Sequence, residues 1–596
     1  MTILRASLIS LVLVSSALGA SRAAAQDQPP SKKLIGKTKN SPRDPRVGLK
    51  GGLFDAGVAV RGLELVGSGK KDNSFFDPAS PGNFAFANSD MAFRGNLVFQ
   101  GNYNGFQVYD ISDPASPHLR LAYPCPGGQG DPSVLGNLLF ISVEQTSARI
   151  DCGRVGITDT VSAERFRGVR IFDISDLDHP KQIAAVQTCR GSHTHTLVSD
   201  PNDAANLYVY VSGTGSVRSG TELAGCSGKD AALDPNTSLF QVEVIQVPLA
   251  HPQDAKVVNI ARVFADSTTG NPDGLAKAGD HGPGTQTTAP TNMCHDITVY
   301  PAMGLGAGAC SGNGILLDIR DPAHPKRITE VSDPNFAYWH SATFNDEANK
   351  VLFTDEWGGG VGPRCRATDK PTWGADAIYT LRDGKLTQGS FFKMPAAQTE
   401  QENCVAHNGS MIPVPGRDIM VQAWYQGGLA LVDFTDPKHP VEVGFFDRGP
   451  VDSTKNVLAG FWSAYWYNGH IVGSEIARGL DLLKLAPSKL LSRNEIEAAE
   501  SVQMEQFNPQ AQTKFIWPAS FAVARSYLDQ LVRNRGLGAA RLTKISADLA
   551  RAEKLEGSAR QAAIAILAGK IEKDATRAAD GARVKKLAQA VGELAK

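Results

Sequence analysis

Short runs of alternating hydrophobic and polar residues, each closed by the same turn, recur along this chain. Gly105-Phe106-Gln107-Val108-Tyr109-Asp110-Ile111-Ser112-Asp113-Pro114 returns as Gly168-Val169-Arg170-Ile171-Phe172-Asp173-Ile174-Ser175-Asp176. It returns again as Gly314-Ile315-Leu316-Leu317-Asp318-Ile319-Arg320-Asp321-Pro322 and as Gly428-Leu429-Ala430-Leu431-Val432-Asp433-Phe434-Thr435-Asp436-Pro437. A further proline follows the second Asp each time: Pro117, Pro180, Pro325 and Pro440. The period-2 pattern predicts a strand. The Asp and Pro residues predict a tight reversal, because Asp accepts a hydrogen bond from the backbone two residues on and Pro presets φ.

Each turn is flanked by further strands. Upstream stand runs such as Asn96-Leu97-Val98-Phe99 and Val351-Leu352-Phe353, and before those shorter ones such as His295-Asp296-Ile297-Thr298-Val299 and His340-Ser341-Ala342-Thr343-Phe344. Downstream come Leu119-Arg120-Leu121-Ala122-Tyr123 and its equivalents. Four strands over roughly 40 to 70 residues are the grammar of a propeller blade. Weaker copies around Val244, Ile378 and Leu480 bring the count to about seven between Phe84 and Leu485. The expected fold is mainly β, a propeller of about seven blades. Residues 57–66 read as a lone outer strand that the last unit lacks, so pairing the two would close the ring and remove two sheet edges.

The Asp-Ile-Ser-Asp-Pro turn after its strand resembles the LVIVD repeat of secreted bacterial and archaeal β-propeller proteins. The resemblance extends over most of residues 84–485. It implies a propeller and says little of activity, since architecture defines that family. Residues 230–291 depart from a compact repeat and read as an elaborated face loop.

Composition adds the compartment. Arg5, an apolar run from Leu8 to Leu18 and Ala23-Ala24-Ala25 make a signal peptide over residues 1–25. Nothing later is long and apolar enough to span a bilayer, so the expected location is secreted or periplasmic. Sixty basic against 61 acidic residues, net −1, give no electrostatic case for nucleic acid as a partner. Eight cysteines in an exported chain point to disulfides, whose connectivity spacing alone does not decide. In the register of the repeat, Cys125, Cys189, Cys294 and Cys404 each open a blade. Cys152, Cys226 and Cys310 follow the second strand of the unit that each of the first three opens. The register therefore favours Cys125–Cys152, Cys189–Cys226 and Cys294–Cys310 within blades, leaving Cys365–Cys404 between neighbours.

The segment before the ring, residues 26–83, carries the closing strand; residues 84–487 form the propeller. From residue 488 Gly and Pro thin out, and Ala, Lys, Arg and Glu dominate. Stripes at Leu542, Ile545, Leu549 and Leu555, at Ile564, Leu567 and Ile571, and at Val584, Leu587, Val591 and Leu594 predict amphipathic helices in a small bundle. An earlier stripe joins Phe521, Tyr527, Leu528, Leu531 and Val532. Such a module either docks to a partner or the cell envelope, or is an autonomous spacer or cap.

Chemistry is fainter. The residues opening the inner strands face a shared channel, and among them are His195, His295, His340 and His407, with Asp90, Asp131 and Asp296. His193, two residues from His195, is expected on the same strand face. Imidazoles on converging strands suit copper, zinc or iron, with carboxylates completing the shell. The alternative is that these histidines bond backbone groups between inner strands. Trp357, Trp373, Trp424, Trp462, Trp466, Tyr338 and Tyr425 either line a ligand pocket on a face or pack between blades. His179, His251, His324 and His439 precede the turn proline and read as turn residues. No Walker, Rossmann, G-x-S-x-G or H-E-x-x-H signature stands in a strand–helix context. The first reading is an exported scaffold presenting a face to a protein, glycan or envelope ligand; the alternative is a metal-dependent oxidoreductase with its ion on the axis near His195, His295, His340 and His407. For the second, the selenium-binding, methanethiol-oxidising propellers are a remote analogy on histidine-rich architecture alone.

Overall fold

The computed structural model describes residues 43–596 except 232 and 267. The expected export signal over residues 1–25 lies outside the described residues. Seven antiparallel sheets follow one another along the chain. We call them blades 1 to 7, starting with inner strands Asn88–Arg94, Pro132–Leu135, Thr194–Asp200, Asp296–Tyr300, Trp339–Phe344, Gly409–Ile412 and Phe461–Tyr467. The repeated turn does the same work in four of them. Asp110, Asp173, Asp318 and Asp433 end the third strands of blades 1, 2, 4 and 6, and each accepts from the backbone N–H two residues on at 2.8 to 3.1 Å. The second Asp of the motif repeats the device, and His179, His324 and His439 bond its free oxygen through Nδ1 at 3.0, 3.0 and 2.8 Å. These three histidines are turn residues.

Ring closure uses two strands rather than one. Gly62, at φ +70°, breaks the expected outer strand. Leu63–Lys70 completes blade 7 by pairing with Gly479–Leu485, while Val58–Arg61 pairs with Val441–Arg448 as a fifth strand of blade 6. The N-terminal segment thus laces two blades together. Buried Arg46 secures it, bonding Asp44 and, at 2.7 Å, Glu442 of blade 6.

The expected insertion over residues 230–291 is in part blade 3 itself. Val242–Pro248 and Lys256–Ala261 are that blade's third and fourth strands. The long stretches on either side hid the period. The true additions are residues 213–241 and 262–291, the latter carrying a two-residue hairpin at Gly279–Asp280 and Thr287–Thr288.

All eight cysteines are paired, as Cys125–Cys152, Cys189–Cys226, Cys294–Cys310 and Cys365–Cys404. Three bridges join a blade entry to the loop between a second and a third strand, and the remaining one joins the entry of blade 4 to Cys310 at the end of its second strand. Both features lie at the end of the axis where inner strands begin, so one face of the ring is stapled four times.

The opposite face is covered by the C-terminal module. Helices α1 (Arg493–Glu500), α2 (Phe521–Arg533), α3 (Ala539–Glu553), α4 (Gly557–Asp574) and α5 (Gly581–Glu593) follow the last blade. The stripes of α2 to α5 form one core of Phe521, Leu531, Ile545, Leu549, Ile564, Ile571, Leu587 and Val591 with their neighbours. Leu555 and Val532, which the stripes also included, are exposed, Leu555 because α3 has already ended. α1 is shared: Ile496 and Ala499 join the core of blades 6 and 7, whereas Ala498 joins the bundle. Between α1 and α2 the chain runs as a strap across the ends of the inner strands. Phe507 pairs with Phe93, Asn508 brackets Val134, the backbone of Gln510 and Gln512 flanks Val299, and the Gln512 side chain brackets Phe344. Blades 1, 2, 4 and 5 are therefore tied to one segment that closes this end of the channel.

Candidate metal centre on the propeller axis

At the stapled end, four histidines from consecutive blades stand ring to ring. His193 precedes the inner strand of blade 3, His295 that of blade 4, and His407 that of blade 6; His340 is the second residue of blade 5's inner strand. Ring centroids lie 4.3 Å apart for His193 and His295, 4.0 Å for His295 and His340, and 4.2 Å for His340 and His407. The arc follows from the fold, because each blade delivers its inner strand to the same depth. Backbone bonds from His193 to Ser212, His295 to Ala309 and His407 to Ala423 fix that depth.

Each of these imidazoles is held by Nδ1. His193 meets Glu144 at 2.8 Å, His295 meets Asp296 at 3.1 Å, His340 meets the Thr354 hydroxyl at 3.5 Å, and His407 donates to the Trp462 carbonyl. None of the four Nε2 atoms makes a hydrogen bond among the described residues. Those of His340 and His407 instead approach the two carboxylate oxygens of Glu356, at 3.8 and 3.6 Å. Orienting a ring through one nitrogen and leaving the other free is how proteins prepare histidine for a metal. His295, His340 and Glu356 bring three ligand atoms within 4.8 Å of one another, close enough for one ion to lie among them.

Electrostatics agree with this use. Burial pushes His340 far below the ordinary imidazole range, helped by the neighbouring His295 and His407, and pushes His407 down to about 3. Burial, then the charge of His193, lowers His295 as well. Rings that are neutral at physiological pH keep the lone pair that a metal needs. His193 differs: burial opposes its charge, but the Glu144 carboxylate prevails and its pKa rises. Burial raises Glu356 to about 7 against the hydrogen bond from Tyr425, whose hydroxyl donates to it at 2.6 Å.

His195 is not part of the arc. Its ring lies between blades 2 and 3, with Nδ1 2.8 Å from the Ser142 hydroxyl and 3.6 Å from Asp131, and no ring contact joins it to the other four among the described residues. The expected alternation fails because the strand begins at Thr194, leaving His193 in the entry loop. Of the axial carboxylates, Asp296 orients His295, whereas Asp90 and Asp131 bond groups deeper in the channel.

The aromatic residues divide. Trp424 and Trp466 are wholly buried between strands. Tyr338, Tyr425 and Trp462 pack on His295 and His407 at 5.6, 4.6 and 5.2 Å. Trp357 and Trp373 stack edge-on in a face loop of blade 5.

Glu356 and Glu144 are the site residues that the inner-strand phase did not reveal. They share a signal of their own, since each is the residue directly after the second strand of its blade. Asp355 sits one position earlier and serves structure, accepting from the backbone N–H groups of Ala337, Tyr338 and Gly374.

Residues 88–124, the whole of blade 1, match the family model described as LVIVD repeat. This chain carries an LVIVD repeat. The LVIVD match is confined to one blade, and the other six follow from their strand order. No curated protein matches the sequence. Solved structures similar to the propeller include the computationally designed Ika8 protein, at 9% identity and a TM-score of 0.32, covering 67% of this chain and 96% of that one. The periplasmic gluconolactonase PpgL of Pseudomonas aeruginosa is 12% identical, with a TM-score of 0.39, covering 67% of this chain and 99% of its own. The fold assignment rests on the sheets themselves, and neither likeness bears on activity.

Proposed function

We propose that the protein is an exported, metal-dependent enzyme of the oxidoreductase class, with copper, zinc or iron bound at the stapled end of the axis by His295, His340 and Glu356. The observation that carries this reading is the set of four imidazoles, each tethered through Nδ1 and each presenting an unbonded Nε2. A set of histidines that served only the inner-strand ladder would spend both nitrogens on backbone groups. Bound there, the ion would supply Lewis acidity or electron transfer. The protein's own part is to hold the His295, His340 and His407 rings neutral and to orient the four rings through Glu144, Asp296, Thr354 and the Trp462 carbonyl. Oxidoreductase chemistry is favoured by what surrounds the centre. Tyr425, bonded to Glu356, adjoins Trp462 at 6.1 Å, and Trp462 adjoins Tyr103 at 6.3 Å, a run of oxidisable rings. Four disulfides accord with export, and no helix among the described residues is long and apolar enough to cross a membrane.

Elemental analysis of the purified protein tests the reading. About one copper, zinc or iron ion per chain is expected, with affinity at least about tenfold lower in both His295→Ala and Glu356→Gln. Less than about 0.1 ion per chain in the parent protein, even after incubation with each metal, removes the proposal. The ring would then stand as a scaffold offering a face to a protein, glycan or envelope ligand.

A further inference from the structure

The net charge of −1 conceals a segregation between the two parts of the chain. Residues 521–596, which form helices α2 to α5, carry 15 basic and 8 acidic side chains, net +7, whereas residues 1–520 are net −8. Much of the excess is uncommitted: Arg535, Lys554, Lys570, Lys573, Arg577 and Lys585 are exposed and form no ion pair among the described residues. Two of them belong to one feature. A groove of about 1050 Å³ runs between α2 and α3, lined by Leu528, Val532, Leu537, Leu542, Ala547 and Ala550 together with Arg535 and Arg577. Val532 is 58% exposed in it. Asp529 is the one acid of the lining, and its carboxylate accepts from Asn494 at 2.8 Å. Arg535 directly follows the C-cap of α2 at φ +55°, a place that favours glycine or asparagine. Strain is borne there for a guanidinium that bonds no acid among the described residues.

We infer that this groove docks the protein on an anionic phospholipid surface, with lipid phosphate held by Arg535 and Arg577 and apolar chain atoms entering beside Val532 and Leu537. Membrane-surface binding draws on apolar contact and on attraction to anionic headgroups together, and the groove offers both. The other unpaired cations are spread over the module, which suits a leaflet whose charge is spread over a plane. A nucleic acid would meet the charge and leave the apolar walls wet. A second copy seated groove to groove would bring one +7 module against another. The inference is independent of the metal reading. The module covers the face opposite the stapled one, so docking through it leaves the histidine end facing away from the leaflet.

Sedimentation of the full-length protein with vesicles tests this, using phosphatidylcholine alone and phosphatidylcholine with about 30% phosphatidylglycerol. In about 0.1 M salt, binding is expected to be at least about tenfold tighter on the anionic vesicles, and to weaken at least about fivefold in about 0.5 M salt. Arg535→Gly combined with Arg577→Ala is expected to lose at least about tenfold on the anionic vesicles. Glycine suits φ +55° and Arg577 is exposed, so this variant keeps its fold. Val532→Ser keeps every charge and is expected to bind at least about threefold more weakly, which separates chain insertion from attraction of charge alone. Equal binding to the two kinds of vesicle, binding to neither, or unchanged binding in the arginine variant or in Val532→Ser would overturn the inference. So would a dimer in analytical ultracentrifugation without lipid that Val532→Ser dissolves, because the groove would then belong to a second copy.

Discussion

Reducing the four disulfides is expected to unfold the ring under conditions where the oxidised protein is stable. The bridges close loops of 27, 37, 16 and 39 residues. In the chain-entropy description each contributes about 3–4 kcal/mol by restricting the unfolded chain. Four such contributions are comparable to the whole net stability of a typical protein, about 5–15 kcal/mol. The effect reaches the candidate centre too, because Cys294 directly precedes His295, and Cys189 and Cys404 lie in the entry loops leading to His193 and His407. Thermal unfolding with and without reductant measures the result, and a fall of more than about 10 °C is expected. The paired variant Cys294→Ser with Cys310→Ser isolates one bridge, with an expected loss of about 3 kcal/mol in denaturant unfolding. A reduced protein that melts with the oxidised one would show that the blades need no staples.

Replacing Glu495 by Ala is expected to cost about 3–5 kcal/mol and to loosen the helical module from the ring. Glu495 is completely buried where three elements meet. It caps its own helix in a capping box with Ser492, accepts from Arg417 of blade 6 at 3.0 Å, and pairs with Arg533 at the end of α2. Removing the carboxylate takes both side-chain hydrogen bonds from Arg533 and one of two acidic partners from Arg417. Arg417, whose side chain is only 6% exposed, keeps Asp433 and the Leu490 carbonyl, so the charge left under-compensated at this junction is the main cost. Burial raises the Glu495 carboxyl, but the Arg533 hydrogen bond and the Arg417 charge outweigh it and hold it below the usual range. A carboxylate depressed in the folded state contributes fully above its unfolded pKa, about 4.3, and the contribution is lost as pH falls through the lower folded value. Acid should therefore weaken docking in the parent protein and change it little in the variant. Limited proteolysis between residues 501 and 520, followed against pH, reads this directly. Equal cleavage rates in both proteins at pH 7 would mean that the strap, not the ion pair, holds the module.

The ring was legible because its signals are local. Asp110, Asp173, Asp318 and Asp433 make the same two-residue backbone bond that their motif implies, with no help from the rest of the molecule. The cysteines were legible for a related reason: equal phase in a repeat means equal place on a face. Blade 3 was obscured, since long additions on both sides of Val242–Pro248 destroy the spacing while leaving the strand intact. The histidines could be assigned to the axis but not to partners. Whether His195 or His193 joins His295 depends on which residue begins a strand, and element boundaries are the weakest part of any reading by pattern.

Propeller architecture, blade number, the stapled face and the helical nature of the last hundred residues belong to the sequence itself, because strand period, turn chemistry and helical stripes are properties of neighbours in the chain. Tertiary structure alone decided that Glu356 meets His340 and His407, that Gln510 reaches Asp90, and that Glu495 joins two arginines. These contacts join residues that lie 16 to more than 400 positions apart, and their distances depend on how seven sheets and a strap settle around one axis. No periodicity in the chain encodes a distance of that kind.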